Sequence, residues 1–148
     1  MFRRKPLEVV DSVIRLLMIA SLKVDAGVKL ATDRAARKRF LREVTLISIQ
    51  GGLPIFPDSM SRIYVRSALG DVKRALKGVR GLRKALRRGS VGVYEAVMKP
   101  YLDRVEEALE GLVRGWSDLD ADTIKHGIGE VAAMLTCFKE EFRELLIS

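Results

Sequence analysis

Apolar residues recur at helical spacing through most of the chain, and that pattern predicts the architecture. Val10, Val13, Ile14, Leu17, Met18 and Leu22 fall mostly three and four residues apart, as expected for one buried stripe on a helix. They predict a first helix over about 6 to 24, opened by Pro6, whose missing N–H costs nothing in a first turn. Asp25-Ala26-Gly27 is a soft boundary. A second helix is expected from Val28 to Ile49, with Leu30, Phe40, Val44 and Ile47 near one face. Thr45 to Gln50 has enough β-branching for a strand, but no partner strand is legible elsewhere, so it is read as helical. Gly51-Gly52 ends the helix, and Leu53 to Pro57 is the clear break. Ile55 and Phe56 are expected to plug into a core or a neighbour from that loop.

A long third helix follows, capped by Asp58 or Ser59 and running from about Ser59 to Arg88, with Gly89 at its end. Val72, Ala75, Leu76, Val79, Leu82 and Leu86 gather on one side of it. Gly78 and Gly81 project to the flank, where another helix could approach closely. A short piece, about Ser90 to Lys99, is interrupted or restarted by Pro100. The helix from Tyr101 to Arg114 is acidic, with Asp103, Glu107 and Glu110 on one edge. Trp116 sits in the turn from Gly115 to Ala121 and reads as a core or interface anchor. Asp122 and Thr123 cap a last helix over about 123 to 147, which carries Ile124, Ile128, Val131, Leu135, Phe138, Phe142 and Leu145 at helical spacing. The expected fold is all-α, four to five helices in an extended bundle. At 148 residues it is one domain: a mobile basic arm (1–5), basic helices (6–89) and an acidic helical part (90–148).

Charge sharpens this picture. Asp71 to Arg88 holds eight basic side chains and no acid after Asp71. On a helix, Lys73, Lys77, Arg80, Lys84 and Arg87 form one stripe opposite the apolar side, and Arg62 and Arg66 extend it backwards. Like charges stacked at this spacing cost a few tenths of a kcal/mol per pair, roughly 0.2 to 0.5, so an external anion would relieve them. Arg34, Lys38 and Arg42, with Arg37 beside them, repeat the motif on the second helix. The net charge of +8 divides into +14 over residues 1–89 and −6 over 90–148. Such polarity points to a polyanion facing one half and to solvent or a basic neighbour facing the other.

Catalytic signatures are missing. The sequence contains no G-x-x-x-x-G-K-[ST], G-x-S-x-G or H-E-x-x-H. One histidine, His126, and one cysteine, Cys137, build no His or Cys metal cluster, and no cofactor is called for. Cys137 reads as a small buried hydrophobe and excludes an intrachain disulfide. Glu106, Glu107 and Glu110 lack an activating neighbour and read as a solvated or salt-bridged face. Arg15 and Lys23 interrupt the apolar run Val13 to Leu22, so neither a secretory segment nor membrane insertion is expected. Asn is absent, Gln occurs once and Arg outnumbers Lys 17 to 10, a thermophilic bias.

With adenine-reading amides nearly absent, the cations point to backbone recognition. Only Phe40 and Tyr64 lie among them, too few aromatics for a single-strand stacking platform, so duplex is favoured. The basic arm (Phe2, Arg3, Arg4, Lys5), the basic helices (Arg34 to Arg42; Arg62 to Arg88) and the acidic helical remainder resemble the helical major capsid proteins of archaeal filamentous viruses. That resemblance implies a virion protein whose subunits, often pairs of related chains, wrap duplex DNA in a helical filament and hold it in A-form. It implies that Arg66, Lys73, Lys77, Arg80, Lys84 and Arg87, with Arg34, Lys38 and Arg42, line the DNA. Arg3, Arg4, Lys5, Arg37 and Arg62 complete the expected phosphate contacts. The other reading is a cytoplasmic helical adaptor or chromatin-like protein whose basic helix docks on an acidic protein, a sister chain or nucleic acid.

Overall fold

Two long helices, α1 (Pro6–Thr32) and α3 (Pro57–Gly89), pack side by side along most of their lengths and form the spine of the molecule. The computed structural model describes residues 4–49, 57–89 and 91–147, with side chains described at 4–43, 59–89 and 92–147. The expectations for Phe2, Arg3, Gly51-Gly52, Ile55 and Phe56, and for the side chains of Val44 and Ile47, lie outside the described residues. Between the spine helices comes α2 (Arg34–Ile49); after them come α4 (Val91–Val93), a π-helical turn (Tyr94–Met98), α5 (Lys99–Gly115), a 3-10 turn (Trp116–Asp118), α6 (Ala121–Glu141) and α7 (Arg143–Leu146). No strand occurs among the described residues, and the fold is all-α.

The expected apolar stripes form the core, except that Met18 and Leu22 of the first are exposed, because the buried face of α1 continues from Leu17 through Ala20 and Val24 instead. Val13, Leu17, Ala20 and Val24 of α1 meet Ala68, Val72, Ala75 and Val79 of α3, with Val105 and Leu109 of α5 and Ile128, Val131 and Leu135 of α6 closing the bundle. A second cluster gathers Val10, Leu82, Leu86, Tyr94, Met98, Leu102, Phe138, Phe142 and Leu146 at the other end. Each fully buried Val or Leu contributes about 1.5 to 3 kcal/mol. The two spine helices run antiparallel, since Gly27 approaches Ser61 and Gly78 approaches Val13. A Cβ on Gly78 would stand 2.8 Å from Val13 Cγ2, so this glycine sets the helix spacing, as its flank position implies. At the other crossing, the Ser61 hydroxyl donates to the Gly27 carbonyl at 2.6 Å.

Several boundaries differ from expectation: α3 already begins at Pro57, so Asp58 and Ser59 lie inside its first turn and not at its cap. α1 runs through Gly27 and stops at Asp33, whose Oδ1 accepts from the N–H of Ala35 at 2.9 Å and of Ala36 at 3.3 Å, capping α2. Gly27 is held in helix by its contact with α3, which overrides its weak propensity. Pro100 stands in the first turn of α5 without a break in the helical run: it lacks the N–H due to the Ala96 carbonyl and its ring crowds that turn. The chain widens by one π turn, with the Lys99 N–H on the Tyr94 carbonyl, and continues as helix. The last helix is capped by Asp120, not Asp122 or Thr123; Asp120 accepts from the Thr123 N–H at 2.7 Å. It breaks at Phe142 before the short α7. Cys137 is exposed and is not a core residue; it points away from the face that Leu135 and Phe138 bury. Trp116 is buried, as an anchor should be.

Candidate nucleic-acid interface

α1 and α5 cover two sides of α3 and leave one arc bare. The arc follows from the sequence: Ala68, Val72, Ala75, Leu76, Val79, Leu82 and Leu86 of α3 are in the core, so the basic positions 100° to 180° away are left outside, as is Ile63, 53% exposed. Arg62, Arg66, Lys73, Lys77, Lys84 and Arg88 are exposed on this arc, and none makes an ion pair or side-chain hydrogen bond among the described residues. From Arg62 to Arg88 the row is about 39 Å long at ~1.5 Å per residue.

The flank that faces α5 is different. Arg80 donates from Nε to Glu106 Oε1 at 3.2 Å and from Nη2 to Glu110 Oε1 at 2.9 Å. The Glu110 bond in particular raises its pKa, and the charge is balanced within the chain. Arg83, only 12% exposed, binds Asp103, donates to Glu106 Oε2 at 2.7 Å and donates from Nε to the buried Tyr94 hydroxyl at 3.0 Å. Burial opposes the Arg83 charge, but its bonds to Tyr94 and Asp103 outweigh that and leave its pKa raised. Arg87 lies over the Tyr94 ring, 5.6 Å from its centroid. Arg80, expected on the DNA-facing stripe, is therefore committed to α5, and Arg87 leans inward. The acidic edge of α5 that meets them is Asp103, Glu106 and Glu110; Glu107, expected on that edge, points to solvent.

On the α1 side a buried carboxylate is also answered internally. Asp71, 1% exposed, is approached by Lys23 Nζ at 2.7 Å and is bonded by Arg74. Lys23 donates at 2.8 Å to Ser67 Oγ as well, tying α1 to α3. Arg74, like Arg83, is thus a structural cation.

Two further basic groups flank the row. α2 touches α3 only lightly and is attached near the Arg62 end of the spine. Arg34, Lys38, Arg39 and Arg42 are exposed on it without an ion partner among the described residues, while Arg37 donates to the Ala31 carbonyl at 3.1 Å. At the opposite end Arg4 borders a hollow shared with Lys84 and Arg88, and Lys5 is exposed. Arg39 and Arg88 were absent from the expected contacts. Arg88 could have been found, since it falls only 20° from Lys77 on a helical wheel.

No protein-family model, curated protein or solved structure matches the chain. The surface must therefore be read from its own chemistry. Among the described residues no group of three or more His, Cys, Asp or Glu side chains could hold a metal, and no helix is long and apolar enough to cross a membrane. His126 is exposed and faces Glu130 one turn on, Nε2 to Oε1 3.0 Å. Phe40 and Tyr64 are half-buried, and no aromatic ring stands on the bare arc itself.

Proposed function

We propose that this protein is a non-enzymatic structural protein that binds duplex DNA through its phosphate backbone, without sequence specificity, and coats it as a multimer. The observation that carries this reading is the uncompensated row on α3. The chain has acids to spare on α5 and spends them on Arg80 and Arg83, yet leaves six neighbouring cations unanswered. A row of about 39 Å matches the axial rise of roughly eleven base pairs at ~3.4 Å each. The bare arc offers charge without rings, which suits phosphates better than stacked single-strand bases. It carries no Asn or Gln, the amides that read adenine edges.

The coat itself is the assembly that the resemblance to filamentous-virus capsid subunits implies, with the virion as its location. Met18 and Leu22, one turn apart on α1, are 60% and 68% exposed and give neighbouring subunits an apolar contact. Electron microscopy and sedimentation with random-sequence duplex at low salt test the reading. Filaments that form only with DNA are expected. Oligomers that form equally without it would favour the adaptor, with the basic row docked on the acidic surface of a sister chain.

A further inference from the structure

The bare arc of α3 is not uniform. Between the start of α1 and the last turns of α3 lies a hollow of about 560 Å³. Arg4, Lys84 and Arg88 stand around it, and no acid lines it. Its floor is Gly81, Ala85 and Gly89, successive positions one helical turn apart on α3. None of the three cations has an ion partner among the described residues. Arg4 also borders a neighbouring hollow with Glu8 and Asp11, but Asp11 is occupied by Lys139 at 2.6 Å.

The floor is the informative part. Glycine inside a helix weakens it, so each one calls for a reason. Gly78 has one, because Val13 leaves no room for a Cβ. Gly81, three residues on, has none of that kind: a Cβ there would meet nothing within 4 Å, as at Gly70, Gly111 and Gly129, while Gly89 has the further reason that it ends the helix. Packing does not require these glycines. A floor with nothing larger than the Ala85 methyl group, walled by Val9 among the described residues, lets a tetrahedral oxyanion come close, since longer side chains there would hold it away from Lys84 and Arg88.

We infer that this hollow is a phosphate seat, in which Arg4, Lys84 and Arg88 hold one backbone phosphate of the nucleic acid over the Gly81–Ala85–Gly89 floor. The inference rests on the duplex-binding reading for the source of the phosphate, but not for the seat itself. It makes this end of the row the place where a strand touches down, and the open stretch from Arg62 to Lys77 a guide along which the backbone lies.

Gly81→Leu tests it, because the new side chain enters the hollow rather than the core and replaces glycine with a better helix former. The thermal midpoint should be unchanged or higher. Duplex affinity at fixed low salt should fall about tenfold, the worth of one charge-assisted phosphate contact, and the salt slope should become shallower by about one. In parallel, backbone amide NMR shifts are followed while inorganic phosphate is added. The expected result is saturable shifts at Gly81, Ala85 and Gly89 in the natural chain, abolished by Gly81→Leu. If duplex binds and the variant binds equally well, the seat is wrong and the duplex reading stands. If phosphate shifts localise to the hollow but duplex is not bound, the seat stands and its phosphate belongs to another molecule. Shifts scattered over the surface, or none, with no duplex binding, overturn both.

Discussion

The two sides of α3 carry the same kind of residue and use it in opposite ways. On the side facing α5, Arg80 and Arg83 are each met by two carboxylates, and Arg83 has Tyr94 besides. On the bare arc Lys77 and Lys84 stand within a turn of those arginines and Lys73 about two turns from Arg80, and none of the three has an ion pair or side-chain hydrogen bond among the described residues. A guanidinium forks between two carboxylates and fixes geometry, whereas an ammonium on a flexible stem is a movable point charge. The helix thus places forked cations where it docks on α5 and lysines at the middle of the arc, which on the proposed duplex-binding reading would track a varied anion. Net charge alone, +14 over the first 89 residues, would not separate these two roles.

The comparison breaks most directly by removing the open lysines. Lys73→Ser, Lys77→Ser and Lys84→Ser together should lower duplex affinity by about a thousandfold near 0.1 M salt, at roughly tenfold per lost phosphate contact. The loss should be the same for unrelated sequences, and the urea midpoint should hardly move, because none of the three makes an ion pair or side-chain hydrogen bond among the described residues. A loss confined to one sequence would contradict backbone recognition. Arg83→Ala should do the reverse. It leaves Asp103, Glu106 and the Tyr94 hydroxyl without their shared partner and should cost about 2 kcal/mol of stability, read as a lowered urea midpoint, with duplex affinity nearly unchanged.

Releasing a committed cation sharpens the contrast. Glu106→Gln with Glu110→Gln frees Arg80 to swing back to the arc, and duplex affinity should rise about tenfold, with a salt slope steeper by about one. No gain would mean that Arg80 is held by packing and not by its carboxylates.

The smallest effect concerns pH. Hydrogen bonds from Lys125 and Lys29 lower the Asp25 pKa below 3.8, and the Thr123 side chain and N–H do the same for Asp120. Both groups bind protons more readily when unfolded, so their contribution is present above 3.8 and is lost as pH falls through the lowered folded values. The thermal midpoint should therefore decline below about pH 4, and less steeply in Asp25→Asn.

Much of the architecture is legible in the sequence because it is written in periodicity. The apolar face of α3 and the buried stripe of α6 follow from spacing alone. Boundaries set by tertiary contact are not legible. Gly27 reads as a stop because glycine is a poor helix former, yet the closeness of Val65 and Ser61 keeps it helical. Asp33 and Asp120 cap their helices through geometry that a capping propensity does not rank above Asp25 or Asp122. In the candidate site, the stripe was legible and its partial neutralisation was not. Arg80 and Arg83 lie 26 and 20 residues from the acids that bind them, and only helix packing decides that Glu106 faces α3 while Glu107 does not. The one available signal was the spacing of Asp103, Glu106 and Glu110, which puts them on a single edge. The hollow at Arg4 was not legible either, because it requires the start of α1 to lie against the end of α3.

The salt dependence of binding to random-sequence duplex tests the central claim most directly. With six cations on the open row meeting phosphates, log K should fall linearly with log salt at a slope of about −5, identical for unrelated sequences. A slope near zero, or no binding at low salt, would contradict it.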